Sequence, residues 1–141
     1  MARYFRLEEA EALLPMLREA LQRASVVIAE AEKAEQEFNS FREGIVRAGG
    51  ILVDHARVLD LRTRRSDAQS QLSRLVEDVQ STGCLIKDLN QGLIDFPALR
   101  YGEEVYLCWK LGEPGISFWH RVEDGFRGRR PIGKEFGLPK A

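Results

Sequence analysis

Residues 104–120 read EVYLCWKLGEPGISFWH. In this stretch Val105, Leu107 and Trp109 alternate with Tyr106, Cys108 and Lys110, the period-two pattern of a strand that packs one face and carries a polar tip at each step on the other. ISFWH is a second β-rich run, and the GEPG between them is turn chemistry. Working outward, CLIKD (Cys84 to Asp88) and LIDFPA (Leu93 to Ala98) also read as short strands. Asn90 with Gly92 and Tyr101 with Gly102 supply their turns. Four strands with connections this short predict an antiparallel meander. Pro97 lacks an N–H and is expected at a strand end or on an edge.

Upstream of Gly83 the residues are helix formers, interrupted by Pro15 and by Gly44, Gly49 and Gly50. The spacing predicts a first helix from Leu7 to Gly44, roughly 55 Å long at 1.5 Å per residue, and a second from Ile51 to Thr82, stopped by Gly83. Pro15 is expected to bend the first helix or to leave Leu7 to Leu14 as a separate short segment. Steps of four and three give the seam Ala10, Leu14, Leu17, Leu21, Ala24, Ile28, Ala31, Glu35 and Phe38. Beside it runs a second stripe, Leu13, Ala20, Val27, Ala34 and Phe41. The seam of helix two is narrower, so one antiparallel neighbour cannot cover both stripes. Either the C-terminal half or a second chain must cover the rest; a homodimer through this stripe is the expectation, with a further protein partner as another occupant. The fold class is α+β: a long antiparallel helical hairpin over residues 1–83, then a small antiparallel sheet and basic tail over 84–141, in one folding unit.

Composition sets the outer bounds. A chain of 141 residues and 16.0 kDa fits one domain. Its 21 basic and 22 acidic side chains leave a net charge of -1, with no global excess that would advertise nucleic-acid binding. Arg57, Arg62, Arg64 and Arg65 are expected to pair with Glu30, Glu32, Glu35 and Glu37 across the helices rather than with phosphates. No apolar run approaches the roughly 18 residues of a membrane helix. The opening MARYFRLEEAEALLP breaks every apolar stretch with a charge, so no signal peptide and a cytoplasmic location are expected. Cys84 and Cys108 are too few for a disulfide scaffold and lack paired-cysteine metal spacing, leaving free buried thiols as the expectation.

Three segments, YFRLEEAEALLP, IKDLNQGLIDFPA and LCWKLGEPGISFWHRVEDGFRGRRPI, resemble the domain-of-unknown-function family number 2203. The resemblance implies a bacterial cytoplasmic protein and brings no established activity. One departure is visible: Arg6 stands where the family tends to carry a capping Thr or Ser.

The densest polar constellation lies in the last third: Arg100, Glu113, His120, Arg121, Glu123, Asp124, Arg127, Arg129 and Arg130. His120 is the candidate general base or metal ligand, with Glu113 and Glu123 as candidate acids; the meander places Glu113 a strand length from His120, so Glu123 or Asp124 is the nearer partner. Arg100, Arg121, Arg127, Arg129 and Arg130 are candidates for holding a phosphate or carboxylate. His55 is the second histidine a metal could use. No phosphate-cradling loop, nucleophile elbow or di-iron helix spacing occurs, and no cofactor is expected. The absence of a complete catalytic set leans the reading away from an enzyme and toward a dimeric interaction or adaptor module. The alternative is a small ligand- or anion-binding protein, or a metal-assisted enzyme, centred on His120 and the C-terminal arginines.

Overall fold

The computed structural model describes residues 3–47, 49 and 54–136. Helix α1 spans Leu7–Ala12, α2 Leu14–Arg47 and α3 His55–Gln80. Five strands follow, β1 Leu85–Asp88, β2 Leu93–Arg100, β3 Glu103–Lys110, β4 Phe118–Arg121 and β5 Arg130–Pro131, with single 3-10 turns at Phe126–Gly128 and Lys134–Phe136. The chain divides into two compact units: one runs to Gln22 and resumes at Val76, and the other is Arg23–Leu75. Among the described residues no helix is long and apolar enough to cross a membrane.

The first unit holds the sheet. Its strands lie in chain order, each antiparallel to its neighbour. The register of the central pair is set by a two-residue turn. Tyr101 and Gly102 both have positive φ, 50° and 79°, the conformation that matches a tight hairpin to the twist of its strands. Arg100 is therefore opposite Glu103, and the pairing runs unbroken down to Leu93 opposite Lys110. One face of the sheet presents Ile94, Phe96, Ala98, Val105, Leu107, Trp109 and Trp119, all buried, to Leu7, Ala10, Leu14, Leu17, Leu21 and Val79. Phe5 ties the N-terminus to β2 by donating its N–H to the Pro97 carbonyl at 2.7 Å. Pro97 itself lies beyond the last residue of β2 that pairs with β1, so its missing N–H interrupts no ladder.

Local chemistry explains where the helices break. Pro15 falls in the first turn of α2, where its absent N–H would have no partner in any case, and α1 is a separate short helix ahead of it. Glu9 accepts a hydrogen bond from the Arg6 N–H at 2.9 Å, half of a capping box without the usual hydroxyl. Contrary to the expectation from sequence, Gly44 does not end the first helix, because α2 continues through it to Arg47; a glycine costs only about 1 kcal/mol in a helix whose neighbours are good formers. The expected start of the second helix at Ile51 lies outside the described residues; α3 begins at His55 behind Asp54, whose carboxylate accepts the Arg57 N–H at 3.0 Å. It ends at Gln80, short of Thr82, and Gly83 follows with φ 102°. The expected four strands become five, since Arg130 and Pro131 pair with Trp119 and Phe118.

Within the second unit, Arg64 and Arg57 of α3 both pair with Glu37 of α2, and Arg65 pairs with Glu35 at 2.9 Å. The Arg64 hydrogen bond holds the Glu37 carboxyl below its ordinary range. Val27 and Ala34 of the second stripe are each 3% exposed here, as single-chain residues, together with buried Leu61 and Ala68. In the first unit, Leu13 and Ala20 pack against the sheet core.

Candidate functional site

The alternation that gives the sheet an apolar face puts the other residues on its second face. There Leu93, Asp95 and Pro97 of β2 lie beside Tyr106, Cys108 and Lys110 of β3, and these beside Phe118 and His120 of β4. Asp95 is directly opposite Cys108, and Tyr106 directly opposite His120. Asp95 and His120 lie on strands two apart, so their side chains meet over β3.

They meet closely. Asp95 Oδ2 and Oδ1 are 3.0 and 3.1 Å from His120 Nε2, and each residue is only 3% exposed. His120 Nδ1 is 2.8 Å from the Arg121 carbonyl. A carbonyl can only accept, so Nδ1 carries a hydrogen and Nε2 is the atom turned to the carboxylate. A hydrogen bond between Nε2 and the carboxylate then places one more hydrogen between the two residues. Tyr106 meets the imidazole edge-on, ring centres 5.5 Å apart. Cys108 completes a buried trio: its sulfur, a carboxylate oxygen of Asp95 and a ring nitrogen of His120 all lie within 4.8 Å of one another. Burial, reinforced by the Asp95 carboxylate, pushes the Cys108 thiol up to about 12. At neutral pH the sulfur keeps its proton, so it is not a ready nucleophile.

Above the trio is a cavity of about 200 Å³. Its walls are Asp95, Tyr106, Cys108 and His120 with apolar Leu93 and Val122; Lys87 and Asp124 bring one cation and one acid to the lining, and Phe126 closes a side. The Lys87 ammonium lies over the Tyr106 ring, 4.8 Å from its centre.

A family described as Uncharacterized conserved protein (DUF2203) matches residues 3–132. The chain belongs to this family. The span takes in every residue of the trio and of the cavity lining. Comparison with curated proteins and with solved structures returned no match.

The other sequence candidates of this DUF2203 chain occupy different places. Glu113 is at the β3–β4 connection, where it accepts the Lys110 N–H at 2.8 Å and a forked pair of hydrogen bonds from Arg129 at 2.7 and 2.8 Å. Arg129 is held there between the Phe118 and Phe126 rings, 4.1 and 4.5 Å from their centres. Arg100 bonds Glu135 and stacks on Trp119, which Arg130 also approaches. Arg121, Arg127 and Glu123 are exposed, and none of the five arginines lines the cavity. Asp124 lines it, but the partner of His120 is Asp95. His55 opens α3 in the second unit, exposed. Asp95, Lys87 and the place of Cys108 beside His120 are absent from the sequence reading. For Asp95 a signal existed: in LIDFPA it is out of phase with Ile94, Phe96 and Ala98, and so belongs to the face of Tyr106 and Cys108.

Proposed function

We infer that this DUF2203 protein binds a small polar molecule carrying an acidic group in the cavity over β3, in contact with the Asp95–His120 pair. The observation that carries the reading is that pair. Burying ionisable groups is costly, and a fully buried Asp–His contact in the wall of a cavity is the kind of arrangement that sites of binding and proton transfer retain. A volume of about 200 Å³ is below the roughly 300–1,000 Å³ of drug-sized sites, which selects a compact ligand. Lys87 supplies a cation for an acidic group, Asp124 an acceptor for a donor, and Leu93, Val122 and Phe126 an apolar wall. This is the ligand-binding alternative in the sequence reading, moved from the arginines to the second sheet face. The dimeric interaction module has less support, because Val27 and Ala34 are already buried within one chain.

The test is a titration of the isotope-labelled chain with acetate, succinate, phosphate and alanine at millimolar concentration, followed by NMR. At least one is expected to shift the resonances of Tyr106 and His120 in a saturable way, and Lys87→Met to weaken it. If none of the four moves those resonances, the reading falls.

A further inference from the structure

We propose that Asp95, Cys108 and His120 form a binding site for a divalent transition metal ion of the zinc class, with its open coordination position facing the cavity. The proposal builds on the ligand-binding reading above and gives that cavity a reactive centre.

Three observations carry it. The three side chains offer one carboxylate oxygen, one sulfur and one imidazole nitrogen, and these atoms lie within 4.8 Å of one another. Ligands of a tetrahedral zinc ion, at bond lengths of about 2.0–2.3 Å, are roughly 3.5 Å apart. The Asp95–His120 contact of 3.0 Å is about half an ångström shorter than that spacing and no two of the three atoms are more than 4.8 Å apart, so admitting an ion takes side-chain shifts of about an ångström. Second, the hydrogen bond from His120 Nδ1–H to the Arg121 carbonyl at 2.8 Å is the outer contact that fixes the tautomer of a metal-ligating histidine and leaves Nε2 free to bind. Third, the trio is the floor of a cavity, so three protein ligands would leave a fourth position open to it, as catalytic rather than structural zinc sites do.

The ligand set also selects the metal. A sulfur and an imidazole favour zinc or cobalt over magnesium and calcium, which prefer all-oxygen shells. The exchange balances: the ion replaces two protons, the one on the Cys108 sulfur and the one shared by Asp95 and His120. A carboxylate and a thiolate then offset the dication, and the buried site is neutral before and after. A metal here would polarise an oxygen of the bound molecule, while Lys87 meets its acidic group.

The experiment uses the full chain, stripped with a chelator and titrated with cobalt alone. The expected result is one equivalent bound, with the near-ultraviolet charge-transfer band of a cysteinate–cobalt bond. Cys108→Ser should abolish the band and Cys84→Ser keep it; zinc competition should show a loss of about tenfold or more in affinity for Cys108→Ser and His120→Gln. A cobalt spectrum without that band in the unmutated chain overturns the proposal, even if the variants fail to fold. So does a band that depends on Cys84, or zinc affinity unchanged in every variant. Anion binding without a cobalt band removes the metal site and leaves the ligand reading; a cobalt band with no response to any of the four small molecules does the reverse.

Discussion

Asp95 and His120, 25 residues apart in sequence, lie on strands separated by β3 and meet above it with both carboxylate oxygens within 3.1 Å of one ring nitrogen. Each is only 3% exposed, so each is the other's principal side-chain partner. In the metal-free chain, His120→Leu leaves a buried carboxylate without its main partner and should lower the unfolding free energy by about 3–5 kcal/mol. Asp95→Asn should cost less, because the asparagine amide keeps a hydrogen-bonding group of the same shape against His120 Nε2. Urea unfolding of both variants checks this; equal losses would mean the carboxylate charge is not what His120 answers.

Cys108 should be silent to alkylating reagents. Its thiol is held protonated to about 12, against an ordinary value of 9.0, and it is 2% exposed. A folded value above the unfolded one favours the native state below pH 9 and withdraws that support as pH rises from 9 toward 12. Mass spectrometry after iodoacetamide treatment at pH 8 should find Cys108 unmodified in the metal-free native chain and modified in urea. Rapid native labelling would contradict the burial of this sulfur.

Gly44 is inside α2, and a β-carbon there would meet nothing within 4 Å. Gly44→Ala should therefore stabilise the chain by about 0.5–1 kcal/mol, because alanine has less backbone freedom to lose. The midpoint of urea unfolding, followed by helical circular dichroism, should move upward. A decrease would show that the glycine serves a contact that the helix geometry does not reveal.

Val27 is buried in a single chain, so its substitution should act on folding whether or not chains associate. Val27→Ala removes two carbon groups, worth about 1.5 kcal/mol of burial, and Val27→Asp should cost several-fold more by burying a charge. Urea midpoints that do not vary with protein concentration would support this; a loss confined to a concentration-dependent dimer, seen by sedimentation, would instead favour the dimeric module.

The sheet's division of labour is legible in the alternation of VYLCWK, which by period alone separates Val105, Leu107 and Trp109 from Tyr106, Cys108 and Lys110. Half of the site is legible too. Because the Tyr101–Gly102 turn has two residues, counting back from Arg100 opposite Glu103 brings Asp95 opposite Cys108. The meeting with His120 could not be counted in this way. The connection from Leu111 to Ser117 is long enough to accept several registers, and tertiary packing chooses the one that sets His120 opposite Tyr106. The arginines misled for a related reason: close in sequence, Arg121 ends β4, Arg127 is in a 3-10 turn, Arg129 follows that turn and Arg130 opens β5, and two of them are engaged by Glu113 or Trp119. Gly44 misled because a glycine marks a helix end only when the helix-forming pattern ends with it.

The two-residue turn at Tyr101 and Gly102 has a consequence for descent as well as for folding. One residue gained or lost there, with the ladder re-formed, would shift β2 by one position against β3 and turn its side chains over. Ile94, Phe96 and Ala98 would then face the cavity, and Asp95 would enter the oily core. Change in the connection between β3 and β4 can be absorbed by a loop; change at this turn would turn the pocket inside out. Lineages that keep the pocket should therefore show a fixed length at this hairpin and freedom of length elsewhere, even where the residues of the turn differ.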